Sequence, residues 1–373
     1  MRSYFVSSVA IILFSTLCFV ESSMACDLCS IYSAQESHKS STDELQVSLA
    51  EQYTDYGDVR KDGKKIDNAD NQYMHSSITQ LAVSLGLSDR LSIQGNIPFI
   101  SRSYRRVDDG VEGGVEGGAE GGAEGGGESK VIDTGRESGI GDIPIIVKWH
   151  GYESSTEDSF VSVLFHAGIK LPTGDSDRLR AEGSNHHDEP EMADDHEVEQ
   201  EEAHHSAVSR HGGEIHGVIH DDLIPSAVHE HDLAIGSGSF DFPLGLNTIA
   251  RYKKLLFSAD AQYIFRTVGR GEYQYGNDFL WRAGVGSFLI TNDTYTFMSR
   301  FTVSGEHKVE DEVDGIEQND TYIRAIYVGP ELVVTSNDNF SAILGVDHPT
   351  SINNSGTQAT ADYRIRAGIT MTF

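Results

Sequence analysis

Residues 182–232 hold ten of the chain's sixteen histidines, His186, His187, His196, His204, His205, His211, His216, His220, His229 and His231, among fifteen Asp and Glu side chains and one Arg. Neutral imidazoles beside carboxylates are the ligand chemistry of Zn²⁺, Cu²⁺ or Ni²⁺, and the surrounding negative charge concentrates cations. The ligands are irregularly spaced, so several weak sites in an extracellular loop are expected rather than one rigid cage. The alternative is a solvated acidic loop whose histidines merely titrate. A second group is Cys26-Asp27-Leu28-Cys29. In an oxidising compartment a local disulfide is its default, while metal ligation, a redox role and lipidation of Cys26 stay open. Ser30 stands where covalent haem attachment needs His, which excludes a c-type cytochrome.

The charge around these groups is uneven. Of a net −30, residues 182–232 carry −14 and residues 107–138 carry −7. No basic stripe is present to displace counterions from phosphates, so nucleic acid is not a partner. Beyond residue 20 no apolar run reaches the ~18 residues of a spanning helix. At the N-terminus, Met1-Arg2, the apolar stretch Val9 to Val20 and Ser23-Met24-Ala25 predict a signal peptide over 1–25. Residues 26–44 then form a periplasmic segment carrying the Cys pair. Residues 111–127 repeat Glu-Gly-Gly with Val or Ala between. That composition is too poor in large apolar groups to offset ordering entropy, which makes 106–138 a Gly/Glu-rich loop.

The elements that must position any site are strands. Tyr363, Ile365, Ala367, Ile369, Met371 and Phe373 alternate with Arg364, Arg366, Thr370 and Thr372, giving one face for lipid and one for water. The same dyad recurs from Val161 to Leu171 and from Leu255 to Arg266. Twelve strands are predicted, near 45–54, 73–86, 90–102, 139–151, 158–171, 234–251, 255–268, 275–290, 294–305, 321–334, 339–347 and 362–373. Even-numbered connections are short and odd-numbered ones long, and the third and fifth contain the acidic tracts, the fifth as a His/acid-rich loop over 176–233. This sorting predicts an all-β, closed antiparallel transmembrane barrel over 45–373, with periplasmic turns, long disordered extracellular loops and both termini periplasmic. The terminal Phe373 fits a signal for the barrel-assembly machinery of a Gram-negative outer membrane.

Three motifs carry a resemblance: Gly139-Ile140-Gly141-Asp142, the run from Gly168 through Leu171-Pro172-Thr173-Gly174-Asp175, and Gly236-Ser237-Gly238-Ser239 with Asp241. Together they resemble the outer-membrane β-barrel transporter family named after the meta-pathway of phenol degradation. The resemblance spans roughly residues 40–373 and implies a barrel with a channel role and no catalytic residues. The His-rich and Gly/Glu insertions and the Cys pair depart from that pattern. As residues alone, the glycines allow close packing or bends where strands meet loops.

By the dyad count Lys148, His150, His166, Lys170, Arg266, Arg282, Arg300, Arg324, Arg364 and Arg366 face the lumen, against Asp142, Asp260, Asp278 and Glu331. This is either a mildly basic, anion-preferring pore or an interior closed by ion pairs. No Gly-x-Ser-x-Gly elbow is present, and an enzyme is not expected. The leading function is an outer-membrane channel for a small solute, with metal capture at its mouth as an accessory. The alternative is a surface protein that sequesters metal, or is structural, without transport.

Overall fold

The computed structural model describes residues 42–108, 131–180, 226–336 and 339–373. Twelve strands form its wall. They are β1 Leu45–Lys61, β2 Tyr73–Ser88, β3 Leu91–Asp108, β4 (Val131–Ile140 continued by Ile143–Ser155), β5 Ser159–Leu171, β6 Phe242–Tyr252, β7 Leu255–Phe265, β8 Asp278–Thr291, β9 Tyr295–Lys308, β10 Ile323–Ser336, β11 Phe340–Asn354 and β12 Thr357–Thr372. Each pairs antiparallel with its neighbour, and β12 closes on β1 from Gln46↔Thr372 to Lys61↔Thr357. Closure leaves no open edge, which is what hydrocarbon demands of a sheet.

The faces are inverted relative to a water-soluble sheet, as β2 illustrates. Ser76, Gln80 and Ser84 are buried inside with Ile78 and Ala82, while Leu81, Val83 and Leu85 stand exposed outside. Trp149, Phe165, Phe257, Phe301 and Ile365 continue the outer apolar face on other strands. β1 carries acids on this face: Glu51, in register with Thr79, accepts from Ser77 Oγ (2.5 Å) and from the Thr79 hydroxyl, and Asp55 lies 3.4 Å from His75. Both ends of the barrel chain meet at the short-turn rim, where Phe373 N donates to Leu45 O (2.8 Å) and Gly86 N to Glu44 O (2.9 Å).

Four boundaries differ from expectation, each for a local reason. β3 and β4 extend to Asp108 and from Val131, so part of the expected Gly/Glu loop is a paired hairpin, with Tyr104 facing Gly135. Its outer positions Thr134, Arg136 and Ser138 carry no apolar dyad to reveal a strand. The eleventh connection is not long. β11 runs to Asn354 and turns at Ser355-Gly356, Gly356 taking φ +58. Pro349 sits within β11 at a register shift, where a lost donor is tolerated. β6 begins at Phe242 instead of residue 234, because Gly238 takes φ +67 and the preceding residues turn inward. Finally, residues 226–233, expected in the extracellular loop, lie inside the barrel: Ala227, Val228 and Leu233 are fully buried.

Candidate functional site

The barrel interior is occupied from its long-loop end by residues 226–241, here called the inner segment, which includes one helical turn, α1 Glu230–Leu233. Val228 and Leu233 pack on Met74 and Tyr104, and Ile235 packs on Ile78 and Ile100. Backbone groups of the segment are satisfied by the wall. Arg102 Nη1 donates to Ala234 O (2.6 Å), Ala359 N to Ala227 O (2.6 Å), Ala227 N to Gln72 Oε1 (2.9 Å) and Tyr275 OH to His231 O (2.9 Å). Glu230 is held by Arg106 and by Arg178 Nη1 (2.9 Å). An irregular backbone survives at this depth only because its polar groups find such partners.

The three glycine motifs converge at the segment's far end. A Cβ on Gly236 would fall 2.5 Å from Gly174 C, and one on Gly174 would fall 2.8 Å from Gly236 Cα, so the backbones touch as only glycines permit. Asp142, in the break of β4, accepts at Oδ1 from Gly174 N (2.9 Å) and at Oδ2 from Ser237 N (2.9 Å), Ser237 Oγ (2.7 Å) and Lys170 Nζ (2.8 Å). Lys170 also pairs with Asp241 (2.6 Å). Asp241 pairs in turn with Arg266 (2.7 Å), and Arg266 with Asp278. The motifs are thus a fastening that ties the inner segment to two strand ends. Gly236→Ala is expected to loosen it. Limited proteolysis should then cut between residues 226 and 241 while heat-modifiable migration of the barrel persists.

A second charged layer lies further along β8. Arg300 Nε donates to Glu331 Oε1 (2.6 Å) and Arg366 Nη1 to Glu331 Oε2 (2.9 Å), while Arg366 Nε and Arg282 Nη2 reach Asp347 (2.6 and 3.0 Å). In the first layer Asp142, Asp241 and Asp278 share Lys170 and Arg266. In the second Arg282, Arg300 and Arg366 share Glu331 and Asp347. Five cations therefore face five carboxylates. Arg364 adds a bidentate pair with Glu306 (2.7 and 2.6 Å) and stacks over Tyr327 (4.0 Å). The basic lining expected from the sequence is electrically balanced.

Of the ten residues assigned to the lumen, nine face it. His150 is buried there, His166 Nε2 meets Gln262 Oε1 (3.0 Å), and Lys148 pairs in register with His166. Arg324 does not. Ala325 and Tyr327 are the buried positions of β10, and Arg324 lies outward across from His307. Its distance of seven residues from inward Glu331 is odd, and an odd step changes face. Arg324→Gln is accordingly expected to leave ion selectivity unchanged in bilayer recordings. The sequence reading missed Arg102, Arg106, Arg178, Glu306 and Asp347, which do much of the fastening. Of the histidine cluster, His229 and His231 lie on the inner segment. The other eight, and Cys26, Cys29 and the signal peptide expected over 1–25, are outside the described residues.

Between α1 and the wall of β1, β9, β10 and β12 lies a cavity of about 130 Å³. Tyr56, Met74, Ile235, Tyr275 and Tyr327 form its apolar side, and Arg364, Lys308, Glu306 and Asp232 its polar one. Lys308 Nζ stands 5.2 Å from the centre of the Tyr275 ring.

A closed twelve-stranded antiparallel barrel with an apolar exterior and an ion-paired interior defines the fold class of outer-membrane barrels. Among solved structures the chain is similar to an outer-membrane channel from Pseudomonas putida F1, with TM-score 0.51 and 10% identity over 91% of this chain and 99% of that one. Weaker likenesses include the translocator domain of the autotransporter NalP from Neisseria meningitidis (TM-score 0.41, 8% identity, 92% of each chain). Another is the β domain of the Bordetella autotransporter BrkA (TM-score 0.41, 7% identity, 89% of this chain and 100% of that one). No family model matches the sequence, and no curated protein matches it.

Proposed function

We propose that the chain is an outer-membrane channel for a small amphiphilic solute, narrowed by its inner segment, with both termini in the periplasm. The observation that carries this reading is the cavity beneath α1. A barrel serving only as an anchor has no use for a mixed aromatic and charged chamber inside its wall. A cavity of about 150 Å³ takes up a single aromatic ring, so the 130 Å³ here suits a solute of that size. Its polar side carries both signs, Arg364 paired with Glu306 and Lys308 with Asp311 (2.6 Å), which favours a solute with a hydroxyl or carboxylate beside its apolar part. The likeness to a channel supports the reading through fold alone. The short-turn rim, holding Phe373, is where the assembly machinery would engage. The kinship with the phenol-pathway family belongs to this proposal and rests on the three glycine motifs. The reading assigns no catalytic residue.

The test is flux. Liposomes carrying the purified protein should admit small aromatic acids faster than sugars of equal mass, and Arg364→Gln should remove that difference. A non-transporting metal-sequestering or structural surface protein is the second reading, favoured by the clustering of His229, His231 and Asp232. Liposomes no more permeable than protein-free ones would decide for it.

A further inference from the structure

Around α1, ligand atoms of His229, His231 and Asp232 all lie within 4.8 Å of one another. His229 Nδ1 is 3.7 Å from Asp232 Oδ2, and His231 Nε2 is 3.5 Å from Asp232 Oδ1, so both imidazoles present an edge to one carboxylate. We propose that these three side chains form a specific binding site for one divalent transition-metal ion, Zn²⁺ or Cu²⁺, inside the barrel mouth.

Four features separate this trio from a chance acidic cluster. First, His229 Nδ1 is buried without a hydrogen-bond partner, an arrangement that costs free energy unless something accepts the lone pair. Second, the opposite nitrogen of the same ring, Nε2, faces Asp320 Oδ2 at 3.9 Å. A carboxylate behind a ligating imidazole fixes its tautomer once the two are hydrogen-bonded, so this pair has to close by about 1 Å when the ion binds. Third, Asp232 is held in place because its Oδ2 accepts from His229 N (2.9 Å), which leaves Oδ1 for an ion. Fourth, the His231 ring is sandwiched between His229 (5.2 Å) and Tyr273 (5.9 Å), and its carbonyl is tied to Tyr275. Ligands of a tetrahedral zinc with bonds of ~2.0–2.1 Å stand roughly 3.3 Å apart. Closing on an ion therefore means drawing ligand atoms now within 4.8 Å of one another to roughly that spacing, with the stacked His229 and His231 rings turning toward a common point.

Three protein ligands leave one coordination position, and His231 and Asp232 also line the cavity. The open position accordingly faces the space in which a solute would sit. This differs from the weak, scattered capture expected of the acidic loop. The ligands here are two imidazoles and a carboxylate on one packed helical turn, so little ordering entropy opposes binding. The site stands independently of transport.

The experiment uses the full-length protein in detergent, with the eight histidines from His186 to His220 changed to Asn to silence the loop. Titration with Zn²⁺ should show one saturable equivalent, and Co²⁺ should give the visible absorption of a four-coordinate ion. Adding His229→Gln with His231→Gln should abolish both. Adding Asp320→Asn instead should keep the stoichiometry and weaken affinity by about 10–100-fold, the usual effect of losing the group that orients a ligating imidazole. Heat-modifiable migration checks that each variant retains its barrel. The proposal is overturned if the eight-Asn protein binds no stoichiometric metal, or if it binds equally well without His229 and His231.

Discussion

Replacing residues 226–237 with a short Gly-Ser linker is expected to raise single-channel conductance roughly tenfold or more, because twelve strands enclose more space than wall side chains alone can fill. Eight-stranded barrels are filled by their own side chains, whereas barrels of about sixteen strands hold an aqueous channel. Here the difference is made up by chain. Val228 and Leu233 are completely buried between α1 and the β2–β3 wall, and Arg102 and Arg106 reach inward to hold it. Without the segment, the wall from Met74 to Tyr104 would face water. The measurement is conductance in planar bilayers, with heat-modifiable migration showing that the wall still closes. An unchanged conductance in a folded barrel would place the constriction in the second charged layer instead of at the segment.

What the sequence revealed followed the one periodicity that lipid enforces. β12 and β5 were legible because every second residue from Tyr363 to Phe373 and from Val161 to Leu171 must be apolar to meet hydrocarbon. Where strands rise beyond the apolar band, that requirement lapses. At the hairpin ends the outward positions are polar, Ser103 and Arg105 on β3 and Thr134 and Arg136 on β4, and β11 beyond Asp347 carries a proline. Such residues read as loops although they are fully paired. The inner segment failed differently. Ile235, Ser237, Ser239 and Asp241 are all buried at a period of two, so they mimic the inward face of a strand. Only the left-handed backbone at Gly238 and the contact between Gly174 and Gly236 turn the chain inward. The lumen charges were legible as inward residues. Their balance was not, because Asp347 ends a predicted strand, and Asp241, inside the strand predicted over 234–251, is read with the glycine motif instead of with the lumen charges. A list of basic residues without these two acids suggests an anion-preferring pore.

That balance can be tested at its most buried member. Glu331 is completely buried and accepts from both Arg300 and Arg366, with Arg282 Nη1 3.7 Å away. Glu331→Gln keeps the side-chain volume but leaves three guanidinium groups with Asp347 alone. Removing one partner of a buried ion pair typically costs about 3–5 kcal/mol, since the remaining charges lose their compensation without regaining water. The barrel's unfolding midpoint in denaturant should fall accordingly. Arg282→Met works in the opposite sense: it leaves two guanidinium groups for two carboxylates and is expected to cost little. Selectivity should follow the same arithmetic. The wild-type layers hold five charges of each sign, which predicts weak ion selectivity, whereas Glu331→Gln adds one net positive charge in a confined lumen and should shift the reversal potential in a salt gradient toward anions. Equal stability losses in the two variants, or a reversal potential unmoved by Glu331→Gln, would mean that water enters the layer and screens these charges, so that the interior is stabilised by packing around Leu280 and Tyr327 instead of by charge pairing.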